Sequence, residues 1–101
     1  AQNMAKVIWT HRSLTDLKSI AEVISKDSVK YASLTLYRIF GATRYLENNP
    51  KIGRRVPEVI KNHNIREIIL GNYRIIYKIS NSQTVHILTV HTLQKGSGKL
   101  S

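Results

Sequence analysis

The chain has no cysteine, so neither a disulfide nor a thiolate metal site is open to it, and a reducing compartment suits it. Acidic residues are scarce. Six Asp and Glu stand against sixteen Lys and Arg, for a formal charge of +10. An excess of this size argues for a polyanionic partner: nucleic acid, a ribonucleoprotein, an acidic protein segment or an anionic membrane. It carries no information about fold. No apolar run approaches the ~18 residues a membrane helix needs, and the N-terminus lacks the charged-then-apolar pattern of a signal segment. The cytoplasm, without a membrane partner, is the expected setting. His11, His63 and His86 lack metal-ligand spacing, and the expectation is no metal and no cofactor.

The 101 residues suit one domain with a modest core. Ala1-Gln2-Asn3 ahead of Met4 read as a cloning remnant, residues 4–94 as the domain, and Lys95–Ser101 (KGSGKLS) as a flexible basic tail.

Lys6–His11 (KVIWTH) has the β-branched and aromatic bias of a strand. Ser13 followed by Asp16 has the spacing of a helix cap with its reciprocal acid. Leu14, Leu17, Ile20, Ala21 and Ile24 then recur at helical spacing, which predicts a helix ending near Lys26. Asp27-Ser28 reads as a turn and second cap. Val29, Ala32, Leu36, Ile39, Thr43 and Leu46 draw one long apolar stripe, ended by Asn48-Asn49-Pro50. So short a break implies an antiparallel helical hairpin. Lys51–Asn64 (KIGRRVPEVIKNHN) has no clean period and reads as a basic loop.

Three strand candidates follow: Ile65–Leu70, Tyr73–Ile79 and Thr84–Thr92, joined at Gly71-Asn72 and at Ser80–Gln83. The order β-α-α-β-β-β describes an α+β domain, with the N-terminal helical hairpin on one face of a mainly antiparallel four-stranded sheet. A two-residue turn at Gly71-Asn72 sets Leu70 against Tyr73, Ile68 against Ile75 and Arg66 against Tyr77 on one face. Ile69 with Arg74, Glu67 with Ile76, and Lys78 fall on the other. The first face is fit to take the helices. The second mixes isoleucine with charge, as a face open to solvent or a partner does. Arg74 then stands mid-sheet beside Glu67 and near the basic loop. It is either half of an ion pair with Glu67 or a rigid fork for a carboxylate or phosphate.

NNPKIGRRVPE, IREIILGNYRIIYKI and VHILTVH together resemble the RelE/ParE superfamily of bacterial toxins, over about Lys6 to Leu93. The resemblance implies a toxin of a type II toxin-antitoxin module, opposed by a cognate antitoxin with an amphipathic, acidic segment that folds on binding. It also implies one of two targets. RelE-type members cut messenger RNA in the ribosome, whereas ParE-type members inhibit DNA gyrase without cutting RNA.

Carried over residue by residue, Arg74 matches an arginine thought to bind phosphate, and Glu58 a glutamate that acts as general base in one branch of the RNA-cleaving members. Those members usually place a further basic residue and a Tyr, or a His-Tyr pair, after the last strand. Here Thr92–Lys99 (TLQKGSGK) has neither Tyr nor His. His91 is the available substitute as general acid, with Lys95 as a further basic candidate. A catalytic set, if the chain is a metal-independent nuclease, would therefore be Arg74, Glu58 and His91. A target- or nucleic-acid-binding set would be Arg54, Arg55, Lys61, Arg66, Arg74, Lys78 and Lys95. Tyr31, Tyr37, Tyr45 and Trp9 could stack on bases, but their positions favour core or groove roles. Three functions remain open: a gyrase-poisoning toxin, which the incomplete tail and long hairpin favour; a ribosome-dependent endoribonuclease; and a non-toxic basic nucleic-acid-binding domain.

Overall fold

The computed structural model describes residues 4–59 and 61–93. Residues 1–3 and the basic tail lie outside them. Strand β1 (Lys6–Trp9) leads into helices α1 (His11–Ser25) and α2 (Val29–Tyr45). Strands β2 (Arg54–Arg55), β3 (Ile65–Leu70), β4 (Tyr73–Asn81) and β5 (Thr84–Thr92) follow. The sheet runs β1-β5-β4-β3-β2, with β1 parallel to β5 and the other pairs antiparallel. The sheet therefore has five strands, not the four expected. The additional one is two residues of the basic loop, too short to leave a periodic signal.

The β3–β4 register is the expected one, with Ile68 opposite Ile75, Arg66 opposite Tyr77 and Ile69 opposite Arg74. Gly71 at the turn takes φ 58°, a left-handed conformation that glycine adopts without steric cost. The helices cover the face carrying Ile75 and Tyr77. Leu17, Ile20, Ile39 and Leu46 meet Ile75, Tyr77, Val85, Ile87 and Val90 there in one core. Trp9 and Phe40 add an edge-to-face contact with ring centroids 5.2 Å apart.

Two boundaries moved. The second hairpin is tighter than expected, because β4 runs on to Asn81. The first helix is capped by Thr10, not Ser13. The Thr10 hydroxyl accepts from the Ser13 N–H at 3.1 Å and donates to the Ile87 carbonyl at 2.7 Å. One side chain thus ends the strand, starts the helix and ties both to β5. Ser13, three residues in, is buried and donates its own hydroxyl to the Thr10 carbonyl at 2.8 Å.

Asp16 is consequently not a capping partner. The β1 pairing stops at Trp9 with Ile87. Beyond it, the Asp16 carboxylate accepts from the Val90 N–H at 3.0 Å and the Thr89 hydroxyl at 2.6 Å. It takes over where the parallel ladder runs out. Burial would raise its carboxyl, but these two hydrogen bonds and the Arg12 guanidinium hold it below the usual 3.8. The stability Asp16 contributes is therefore complete above 3.8 and is lost as pH falls through the lowered native value. Asp16→Asn should lower stability at neutral pH and flatten the acid limb below 3.8, as read by urea unfolding across pH.

The loop after α2 is anchored from the helix side. The Gly53 N–H donates to the Tyr77 hydroxyl at 3.0 Å, which donates on to the Pro50 carbonyl at 2.6 Å. Burial pushes the Tyr77 phenol up, so it keeps the proton it donates. A Cβ on Gly53 would lie 2.5 Å from the Glu67 carbonyl oxygen and 2.7 Å from the Tyr77 hydroxyl. A Cβ on Gly41, within α2, would meet nothing within 4 Å. The two glycine-to-alanine changes should therefore have opposite signs. Gly53→Ala should cost roughly 1–3 kcal/mol by overpacking. Gly41→Ala should stabilise by about 0.5–1 kcal/mol through helix propensity. Urea midpoints of the two variants check both.

Candidate functional site

The outer face of the sheet, opposite the helices, carries a chain of charges. Glu67 sits mid-β3 with its side chain 0% exposed. One carboxylate oxygen accepts from Arg54 Nε and the other from Arg74 Nε. Arg54 reaches it because β2 pairs Arg54 directly with Glu67. Arg74 reaches it diagonally across the β3–β4 ladder, two residues along β3 from its own partner Ile69. A buried carboxylate is costly unless its lone pairs are filled by charged donors, and two guanidinium groups do that here.

Arg74 is fully engaged. Beyond the Nε bond to Glu67, its Nη1 and Nη2 donate to the two oxygens of Glu58 at 3.0 and 2.8 Å. The Arg74 side chain is only 18% exposed, whereas Glu58 is 63% exposed. The hydrogen bonds from Arg74 hold the Glu58 carboxyl below its ordinary value of 4.5. The same bonds to Glu58, and then the one to Glu67, raise Arg74 above its already high value. Both readings of Arg74 thus hold geometrically. It is an ion-pair partner of Glu67, and it is a rigid fork that already carries a bidentate carboxylate.

The remaining candidates divide. His91 is exposed and lies opposite Arg74 across the β4–β5 ladder, which places it on the strand next to the Arg74–Glu58 pair. Arg54 joins them through Glu67. Lys78 is exposed four residues further along β4, opposite Ile65 and His86. Arg66 does not belong to this group. It faces Tyr77, and its Nη1 donates to the Lys51 and Gly53 carbonyls at 3.2 and 2.9 Å, so it pins the loop on the same face as Tyr77. Arg55 alternates away from Arg54, with Nη1 2.7 Å from His63 Nδ1. Lys61 is exposed on the loop. Lys95 lies outside the described residues. No group of three or more His, Cys, Asp or Glu able to hold a metal occurs among the described residues. No described helix is long and apolar enough to cross a membrane.

The contact that sequence reasoning missed is Arg54 with Glu67. Its trace was there: a dipeptide of cations beside a glycine, followed by a strand with a single carboxylate among isoleucines.

Two helices over one face of a mixed sheet, with a cationic loop folded against the other, define the RelE/ParE-type toxin fold. Residues 7–92 match the family described as ParE toxin of type II toxin-antitoxin system, parDE, and the chain belongs to that family. Among solved structures, a chain of the chromosomal ParDE system from P. aeruginosa is similar at TM-score 0.72 and 16% identity, over 91% of this chain and 99% of that one. A chain of the RelBE2 toxin-antitoxin complex from Mycobacterium tuberculosis is similar at TM-score 0.57 and 22% identity, over 88% and 91%. No curated protein matches the chain. The protein is thus a type II toxin of the RelE/ParE superfamily.

Removing the central anion should be the most damaging change on this face. Glu67→Gln leaves Arg74 partly buried without its inner partner and should cost about 3–5 kcal/mol. Arg54→Gln, whose own side chain is 68% exposed and which leaves Arg74 on Glu67, should cost less, about 1–3 kcal/mol for the buried oxygen left without its charged donor. Urea unfolding of both variants measures the difference, and comparable losses would refute the ranking.

Proposed function

We propose that this toxin acts in the ParE manner, by binding and inhibiting DNA gyrase rather than by cutting RNA, and that a cognate antitoxin neutralises it. The observation that carries the reading is the saturation of Arg74. Its Nε, Nη1 and Nη2 each donate to a carboxylate, so a scissile phosphate would have to compete with Glu58 for the fork. Glu58 is compromised by the same contact, because a lowered carboxyl is a weaker general base. The match of residues 7–92 to ParE toxins supports the same direction.

The antitoxin reading draws on α2. Tyr31, Leu34, Tyr37 and Tyr45 are exposed along it, interspersed with Lys30, Arg38 and Arg44. An amphipathic acidic segment complements both the apolar and the cationic residues. The alternative, a ribosome-dependent endoribonuclease, is favoured by one specific observation: Arg74 and Glu58 are in contact, and His91 is the β5 register partner of Arg74.

Induction in a bacterial host with pulse labelling separates the two. The expected result is a DNA-damage response while protein synthesis initially continues, together with loss of supercoiling by purified gyrase when the toxin is added. An early stop in translation with cleaved transcripts, abolished by Arg74→Ala, would overturn the proposal.

A further inference from the structure

We propose that Arg74 is a receptor for a carboxylate on a protein partner, and that Glu58 is the chain's own latch over it. The inference rests on the reading that the target surface is protein. Three features make the receptor. Glu67, closed off from solvent, grips Arg74 Nε and fixes the orientation of the guanidinium plane. The two remaining nitrogens form a fork directed at the loop, and a carboxylate already sits on it in bidentate geometry. That carboxylate belongs to Glu58, which is mostly exposed and follows Pro57 in a turn. The inner anion is structural and the outer one is exchangeable.

The surroundings suit an incoming acidic side chain. Ile69, opposite Arg74, is 48% exposed and offers apolar contact. Arg54 presents a largely exposed guanidinium on the far side of Glu67, and His91 is exposed across the next ladder. The net charge of +10 draws acidic segments to the molecule as a whole. Glu58 sets the threshold. Tethered to the same backbone, it competes at an effective concentration on the order of millimolar. A weak, non-specific acid loses to it, and only a partner held by further contacts displaces it.

The test uses the free full chain with two fluorescent probes, a hexaglutamate peptide and a hexathymidylate, followed by anisotropy. Glu58→Gln should bind hexaglutamate at least threefold more tightly than the unaltered chain. Asp27→Asn makes the same charge change at an exposed turn between the helices and should give no such gain. Adding Arg74→Lys to Glu58→Gln keeps the positive charge beside Glu67 but removes the fork, and should abolish the gain. In the Glu58→Gln protein, the Arg74 Nε–H resonance should remain protected by Glu67 and shift on adding hexaglutamate. No gain, an equal gain in Asp27→Asn, or a gain that survives Arg74→Lys would each overturn the latch. A larger gain for hexathymidylate would overturn the carboxylate assignment in favour of nucleic-acid phosphate. Gyrase takes no part in these titrations, so its insensitivity to the toxin and failure of the latch are separate outcomes.

Discussion

A single buried carboxylate organises the outer half of this molecule. Glu67 is closed to solvent, yet it sits on the face that the helices leave uncovered. Its burial is possible because Arg54 and Arg74 each give it a charged donor, and the two cations come from strands on either side of β3. A lone ionised carboxylate in such a place would lose far more solvation than packing returns. With both guanidinium groups present, the penalty is offset and three strands are cross-linked by side chains as well as by backbone. Strand β4 thus uses alternate residues for two different jobs: Ile75 and Tyr77 build the core, and Arg74 faces the other way to hold Glu67.

The same alternation explains how a two-residue strand is held at all. Arg54-Arg55 is too short for its ladder with β3 to fix it alone. Gly53 and Arg54, neighbours in sequence, are clamped from opposite faces of the sheet. Tyr77 takes the Gly53 N–H on the helix side, and Glu67 takes Arg54 on the other. Arg66 adds a third hold on the loop through the Lys51 and Gly53 carbonyls. These contacts start the loop in register, and three residues beyond β2 it places Glu58 over Arg74. Core packing thus reaches the candidate site through specific hydrogen bonds, not through proximity alone.

What could be read in advance follows from which signals are periodic. The stripe from Val29 to Leu46 and the alternation in Ile65–Leu70 and Thr84–Thr92 report burial at every turn or every second residue, so those elements were legible. The Gly71-Asn72 turn fixed the β3–β4 register, and with it the separation of Arg74 from the core face. The helix start was misplaced because Ser13-x-x-Asp16 imitates a capping box, while the true cap, Thr10, is chosen by a bond to Ile87 some 77 residues away. The short strand β2 was invisible for a related reason. Its existence depends on Tyr77 and Glu67, which lie beyond it in sequence, and no local pattern encodes them. Family resemblance pointed to Arg74 and Glu58 separately, but not to their occupation of each other.

That occupation changes what the large positive charge means. Of the six acids in the chain, Asp16, Glu58 and Glu67 are all engaged in ion pairs. Arg74 already carries both Glu67 and Glu58, and Arg66 is turned to loop carbonyls. The cations nearest Glu58 and His91 are therefore those most fully engaged within the fold, while exposed cations such as Lys61 and Lys78 stand apart from them. A surface field needs only that charges be present and unpaired, whereas phosphoryl transfer needs a free donor and an unencumbered base at one point. On the proposed reading, the excess charge serves attraction of an acidic partner better than it serves catalysis.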